Sequence, residues 1–259
     1  MVRLGQNFLA DPNLLDAIVR DSGVGPGDVV LEVGAGAGVL SERLAPRVAH
    51  LHTVEIDRGL EDALAPTTAL PNVTLHWGDA VKIDFAAFEP KPNAMVANLP
   101  YSVATPVILE TIAALPSLRT WTVMVQLEIA ERLRAGSGNK TYGAPTAIAQ
   151  LACEVELIRK VDPAVFKPRP RVDSAILRLR RVGPGTDQAT RDLIRAAFAH
   201  RRKTLGRSLE LVGLRGVQHP RAAARAGLAE LGLPEDARAE SLAPAQFAAL
   251  SAILHREDS

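Results

Sequence analysis

The stretch Val29-Val30-Leu31-Glu32-Val33-Gly34-Ala35-Gly36-Ala37-Gly38 reads as a buried strand running straight into a glycine-rich turn. Apolar and β-branched residues suit the strand. The glycines let the backbone turn tightly and approach a ligand closely, with a helix N-terminus behind them. The dinucleotide fingerprint wants its third glycine three positions after the second; that position is Val39, and the glycine stands at 38 instead. On this turn alone a nicotinamide enzyme and a methyltransferase both stay open.

Working outward, further short apolar runs predict strands at His50–Glu55, Val73–His76, Ala94–Ala97, Trp121–Gln126, Ala152–Leu157 and Ser174–Leu179. A helix over Pro12–Ser22 precedes them, closed by Gly23 and Gly25, and helical patterns fall near Val39–Ala45, Gly59–Leu64, Pro106–Ala114 and Glu128–Arg134. Alternation of strand and helix predicts an α/β fold with a mainly parallel, Rossmann-like sheet covered on both faces. The last two runs, separated mainly by loop, suit an antiparallel hairpin at one edge. Gly183-Pro184-Gly185 ends this regime, and Gln188–His200, Lys203–Val212, Pro220–Leu231 and Pro244–His255 all read helical. The expected division is a catalytic domain over 1–183 and a small all-helical domain over 184–259.

Three features fall at the carboxyl ends of successive strands, where open α/β sheets bind ligands. They are the glycine turn, Glu55, and Asp79 in Gly78-Asp79-Ala80. An acid at the position of Glu55 can accept hydrogen bonds from both ribose hydroxyls. Asp79 is placed to meet an adenine amine, or to cap a following helix. The fourth strand ends in Asn98-Leu99-Pro100-Tyr101. An adenine amine is a poor nucleophile, its lone pair being delocalised into the ring. An Asn oxygen and a backbone carbonyl that accept its hydrogens favour a more tetrahedral nitrogen, which is preorganisation combined with positioning. Pro100 stiffens the turn, and Tyr101 offers a face for an unstacked base. This motif turns the reading towards methylation of an adenine amine.

Taken in order, the motifs resemble those of the KsgA-type small-subunit rRNA adenine dimethyltransferases, a family that also includes the macrolide-resistance rRNA methyltransferases. Gly5-Gln6-Asn7-Phe8-Leu9 is similar to the family's N-terminal signature, with Leu4 where an aromatic is usual. Glu32–Gly36, Glu55-Ile56-Asp57, Gly78-Asp79-Ala80 and Asn98–Tyr101 match its cofactor and catalytic motifs. Lys140-Thr141-Tyr142-Gly143 resembles a segment of the small-subunit branch, and Phe166–Ser174 and Arg201–Leu205 follow in family order. The resemblance implies S-adenosylmethionine as cofactor, held by Asn7, Leu9, Gly34, Gly36, Glu55, Asp79 and Asn98. It implies a catalytic turn of Asn98, Leu99, Pro100 and Tyr101, with Phe166 facing the target base. The implied reaction places two methyl groups on each of two adjacent adenines, in a hairpin loop near the end of small-subunit (16S) rRNA within a pre-assembled subunit.

The net charge of +1 hides an asymmetry: residues 1–150 hold 11 Lys/Arg and 16 Asp/Glu, residues 151–259 hold 19 and 13. From Arg159 to Arg207 there are 14 Lys/Arg against four acids, with few aromatics between them. That pattern points to phosphate contacts rather than a stacking groove. Arg169, Arg171, Arg201, Arg202, Lys203 and Arg207 are the candidate RNA-binding residues. A single cysteine, Cys153, makes no internal disulfide, and the six histidines lack metal-ligand spacing, so no metal is expected. No apolar run spans a membrane and no secretory signal is recognisable, which predicts a cytoplasmic chain, expected as a monomer. The rivals are a resistance-type enzyme of large-subunit rRNA, a nicotinamide-dependent oxidoreductase, and a non-catalytic assembly factor that has kept the fold. Lys140–Gly143, Val39 and the intact Asn98 turn respectively weigh against them.

Overall fold

A computed structural model describes residues 8–9 and 11–256. It opens with β1 (Phe8–Leu9) and α1 (Pro12–Ser22), followed by β2 (Val29–Val33), α2 (Ser41–Leu44), β3 (His50–Glu55), α3 (Glu61–Thr68), β4 (Val73–Trp77) and β5 (Ala94–Asn98). Next come α4 (Ala104–Ala114), β6 (Thr120–Gln126), α5 (Leu127–Leu133), α6 (Ala144–Ala152), β7 (Cys153–Val161), β8 (Phe166–Lys167) and β9 (Ser174–Arg181). Four helices complete the chain: α7 (Gln188–Phe198), α8 (Leu205–Val212), α9 (Pro220–Glu230) and α10 (Pro244–Leu254).

Seven strands form one sheet in the order β4-β3-β2-β5-β6-β9-β7. β2 pairs in parallel with both β3 and β5, so the chain leaves β2 towards one edge and returns to build the other. This reversal is the topological switch point at which such sheets open a crevice. β9 runs antiparallel to β6, with β7 beside it at the edge, so the two late runs are neighbours as their spacing suggested. β1 and β8 form a separate antiparallel pair, with Leu9 opposite Phe166.

Local signals explain the element ends. Asp11 caps α1 by accepting the Asn13 N–H at 2.8 Å, with Pro12 opening the helix, and Gly23 closes it in the left-handed region at φ 68°. The near-continuous apolar runs of β2, β5 and β6 are buried, because helices cover both faces of a parallel sheet.

The chain divides into two compact units: one reaches Ala130 and resumes over Glu154–Arg181, the other comprises Glu131–Cys153 and everything from Val182. The break near residue 184 thus marks one of the crossings, but the helical unit also draws in the earlier segment. The reason is α6, a helix over residues for which the sequence analysis gives no helix. Its buried Ala147, Ile148 and Ala149 are covered by α7 and α10. In the same unit Tyr142 is fully buried, donates its hydroxyl to the Leu242 carbonyl at 3.0 Å and meets Phe198 edge-on. The Lys140–Gly143 segment therefore supplies a core residue to the helical unit.

Candidate active site

The site starts where β2 stops. Gly34, Gly36 and Gly38 take φ values of 81°, 58° and 81°, a region that side chains with a Cβ rarely adopt. Gly34 carries a second constraint, since a Cβ there would lie 3.0 Å from Pro100 Cδ. The glycine turn and the Asn98–Tyr101 turn are that close. Gly34 and Ala35 both donate N–H bonds to the Val54 carbonyl, at 2.8 and 3.2 Å, so the turn is tied to β3.

Glu55, at the end of β3, completes the tie. Its Oε2 accepts the Gly36 N–H at 2.8 Å, and its Oε1 accepts those of Ile56 and Asp57, each at 2.9 Å. A carboxylate offers about four acceptor sites. Three are taken by backbone donors. Glu32, one strand over, is buried and accepts a hydrogen bond from Ser41 Oγ. Burial pushes its carboxyl up to about 7 against that bond, and the neighbouring Glu55 pushes the same way.

These groups border one cavity of about 410 Å³, within the size range of small-molecule sites. Leu9, Gly34, Gly36, Glu55, Asp79, Asn98, Leu99, Pro100 and Tyr101 all line it. Every expected cofactor and catalytic position in the described residues is therefore brought together there, Phe166 excepted. Asn7 lies outside the described residues. Asp79 accepts the Val81 N–H at 3.0 Å and sits 3.5 Å from Lys82 Nζ, capping a turn rather than a helix. Asn98 is half-buried, and its amide has no hydrogen-bond partner among the described residues. Leu99 is held below the turn by its N–H bond to the Met124 carbonyl at 3.1 Å. Tyr101 Oη lies 2.6 Å from Ser174 Oγ, and burial pushes its phenol up. Three carboxylates and no Lys, Arg or His side chain line the cavity among the described residues.

Phe166 stands apart from this cavity. It is 2% exposed, packs in the apolar cluster with Leu9, Ile18 and Val161, and does not border the cavity. An apolar ring on a two-residue strand paired with Leu9 gains more from the core than from water. Of the cations singled out, Arg201 pairs with Glu240 at 3.0 Å, Arg207 with Glu210, and Arg169 stands 3.6 Å from Asp162. Arg171, Arg202 and Lys203 are exposed and carry no side-chain ion pair or hydrogen bond among the described residues. Two further residues at the site, Glu32 and Ser174, stand inside family motifs quoted from the sequence but were given no role of their own there. Glu32 had a signal, an acid on the last strand residue but one before the glycines. Ser174 had none, because its partner is 73 positions away.

The model of the family described as ribosomal RNA adenine dimethylase matches residues 2–255. The chain belongs to that family. A relative from Rubrobacter xylanophilus named ribosomal RNA small subunit methyltransferase A is 42% identical over 251 residues, covering 96% of this chain and 92% of its own. One of the same name from Deinococcus radiodurans is 40% identical, covering 97% and 84%. Among solved structures, a dimethyladenosine transferase from Plasmodium falciparum matches with a TM-score of 0.78 at 26% identity over 94% of this chain and 95% of that one. The 23S rRNA methyltransferase ErmE matches with a TM-score of 0.67 at 28% identity, covering 96% and 100%. Membership in an rRNA adenine dimethylase family agrees with the Asn98–Tyr101 reading and leaves no place for a nicotinamide oxidoreductase. No helix among the described residues is long and apolar enough to cross a membrane, and no group of three or more His, Cys, Asp or Glu is arranged to hold a metal.

Proposed function

We propose that this protein dimethylates the exocyclic amines of two adjacent adenines in a hairpin loop near the 3′ end of small-subunit rRNA, using S-adenosylmethionine. The observation that carries the reading is an Asn98 amide with no partner among the described residues, lining a cavity that, among those residues, is bordered by acids and by no cation. Such a lining disfavours a pyrophosphate and suits a cofactor bearing ammonium and sulfonium charges. When bound, S-adenosylmethionine supplies the electrophilic methyl group. The residues do the rest. Glu55 accepts a ribose hydroxyl through its remaining lone pair. Asp79 accepts from the cofactor's adenine amine, and Leu9 and Gly34 shape the walls. The Asn98 amide oxygen and the Leu99 carbonyl accept the hydrogens of the target amine and aim its lone pair. Tyr101 offers a stacking face to a base that has left its stack. Arg171, Arg202 and Lys203 contact phosphates directly, while Arg169, Arg201 and Arg207 exchange an acid for a phosphate. The substrate is rRNA within a pre-assembled subunit, the enzyme acts as a cytoplasmic monomer, and the family's small-subunit names favour this over the large subunit.

Methylation of each purified subunit from a strain lacking the enzyme, mapped by mass spectrometry, tests the reading. Four methyl groups on two neighbouring adenines of the small subunit are expected. Transfer to large-subunit rRNA alone would overturn it in favour of the resistance-type activity.

A further inference from the structure

We propose that Ser174 is a positioning residue that sets the plane of the Tyr101 ring before a base arrives. The inference rests on the functional reading above and adds to it a residue from a distant part of the sheet. Ser174 is the first residue of β9, stands opposite Gln126 at the end of β6, and is 0% exposed. A buried hydroxyl needs a partner. Among the described residues its side chain has one, Tyr101 Oη at 2.6 Å. The next residue back, Asp173, accepts the Leu127 N–H at 2.9 Å, so the backbone that presents Ser174 is itself tied to the sheet.

A tyrosine ring turns about two side-chain torsions. A hydrogen bond at the far end of the ring restrains both, while the near end is fixed by the turn, where Val103 donates to the Pro100 carbonyl at 3.1 Å. Holding the ring from both ends removes rotor freedom during folding rather than during capture of the base. It also leaves the ring half-buried, with its hydroxyl spent on the protein and its face available at the cavity that Tyr101 lines. The tyrosine hydroxyl is thus an anchor and not a proton donor to substrate. Ser174 acts only through Tyr101.

The test is a double-mutant cycle of Ser174→Ala and Tyr101→Phe, read by single-turnover methylation of the small subunit at saturating cofactor. Each single variant removes the same hydrogen bond and is expected to slow capture and transfer by about tenfold, the worth of one neutral hydrogen bond. The double variant should be no slower than either single one, and S-adenosylmethionine affinity should be unchanged in all three. Multiplying effects would overturn the proposal. A second readout does not depend on activity. The chain has two tyrosines, and burial pushes both phenols up, so the ultraviolet phenol titration of Tyr101 is assigned as the one lost in Tyr101→Phe. Its midpoint should move in Ser174→Ala while that of Tyr142 stays. An unmoved midpoint in a folded variant would remove the contact itself. If instead the wild-type protein methylates neither subunit, the functional reading fails while the titration still decides the contact.

Discussion

The cavity of the α/β unit and the cationic turns of the helical unit hold their charged groups by opposite means. In the cavity two of the three acids accept from backbone, Glu55 from three N–H groups and Asp79 from one, while buried Glu32 accepts from Ser41 Oγ. In the helical unit arginines such as Arg201 and Arg225 are gripped by other side chains, those of Glu240 and Glu235. Backbone donors are placed by the sheet and do not reorganise. Exposed ion pairs contribute about 0–1 kcal/mol and exchange partners readily. The first arrangement suits one small ligand held in one pose, and the second suits a polyanion whose phosphates replace protein carboxylates.

The strongest blow to that contrast would come from Asn98. In the proposed function its amide is preorganised for charge that develops in transfer, so Asn98→Ala should lower single-turnover methylation at saturating cofactor by about 10²–10³-fold. A folded variant working near the wild-type rate would mean that the amine is activated elsewhere.

A smaller effect sharpens the contrast through pH. The Glu32 carboxyl is raised in the fold from 4.5 to about 7, so its contribution to stability is present below pH 4.5 and is lost as pH rises through 7. His52, buried between His76 and the Pro90 carbonyl, is lowered from 6.5 to about 4; its contribution is present above 6.5 and is lost as pH falls towards 4. The two oppose each other in the shared window. Glu32→Gln should therefore gain stability relative to wild type as pH rises from 4.5 to 7, by up to about 3 kcal/mol, and denaturation midpoints across that range check it. A constant difference would mean that the acid is not held neutral by burial.

The smallest expected change lies in the helical unit. Replacing Arg202 and Lys203 with Ala should lower the log–log salt slope of rRNA binding by roughly two units if each meets a phosphate. Arg201→Ala should lower it by less than one, because Arg201 gives up Glu240 to bind. Equal slopes for all three residues would erase the distinction between committed and uncommitted cations.

Much of the site was legible because it is written in local constraint. Gly34 and Gly36 are needed wherever the backbone turns with positive φ, Glu55 and Asp79 fall at strand ends, and Asn98-Leu99-Pro100-Tyr101 is contiguous. Each can be read from a few neighbouring residues and the period of the strand before them. Phe166 was placed by family likeness at the base, and the structure buries it, since nothing local says which way a ring on a short strand turns.

By itself, the order of strand, glycine turn, acid and Asn-Leu-Pro-Tyr turn determined a Rossmann-like sheet with a cavity at the switch point. Backbone conformation and alternation of buried faces are short-range properties, so they survive in the sequence as motifs. Tertiary structure alone decided the rest: that Glu131–Cys153 joins the helical unit, that three of the acceptor sites of Glu55 are filled by its own fold, and that among the described residues Arg201 is paired and Lys203 is not. It also decided that Ser174 reaches Tyr101 across 73 residues. These are partnerships between groups far apart in the chain, and a hydrogen bond or ion pair depends on distance in space, which residue type and spacing do not encode.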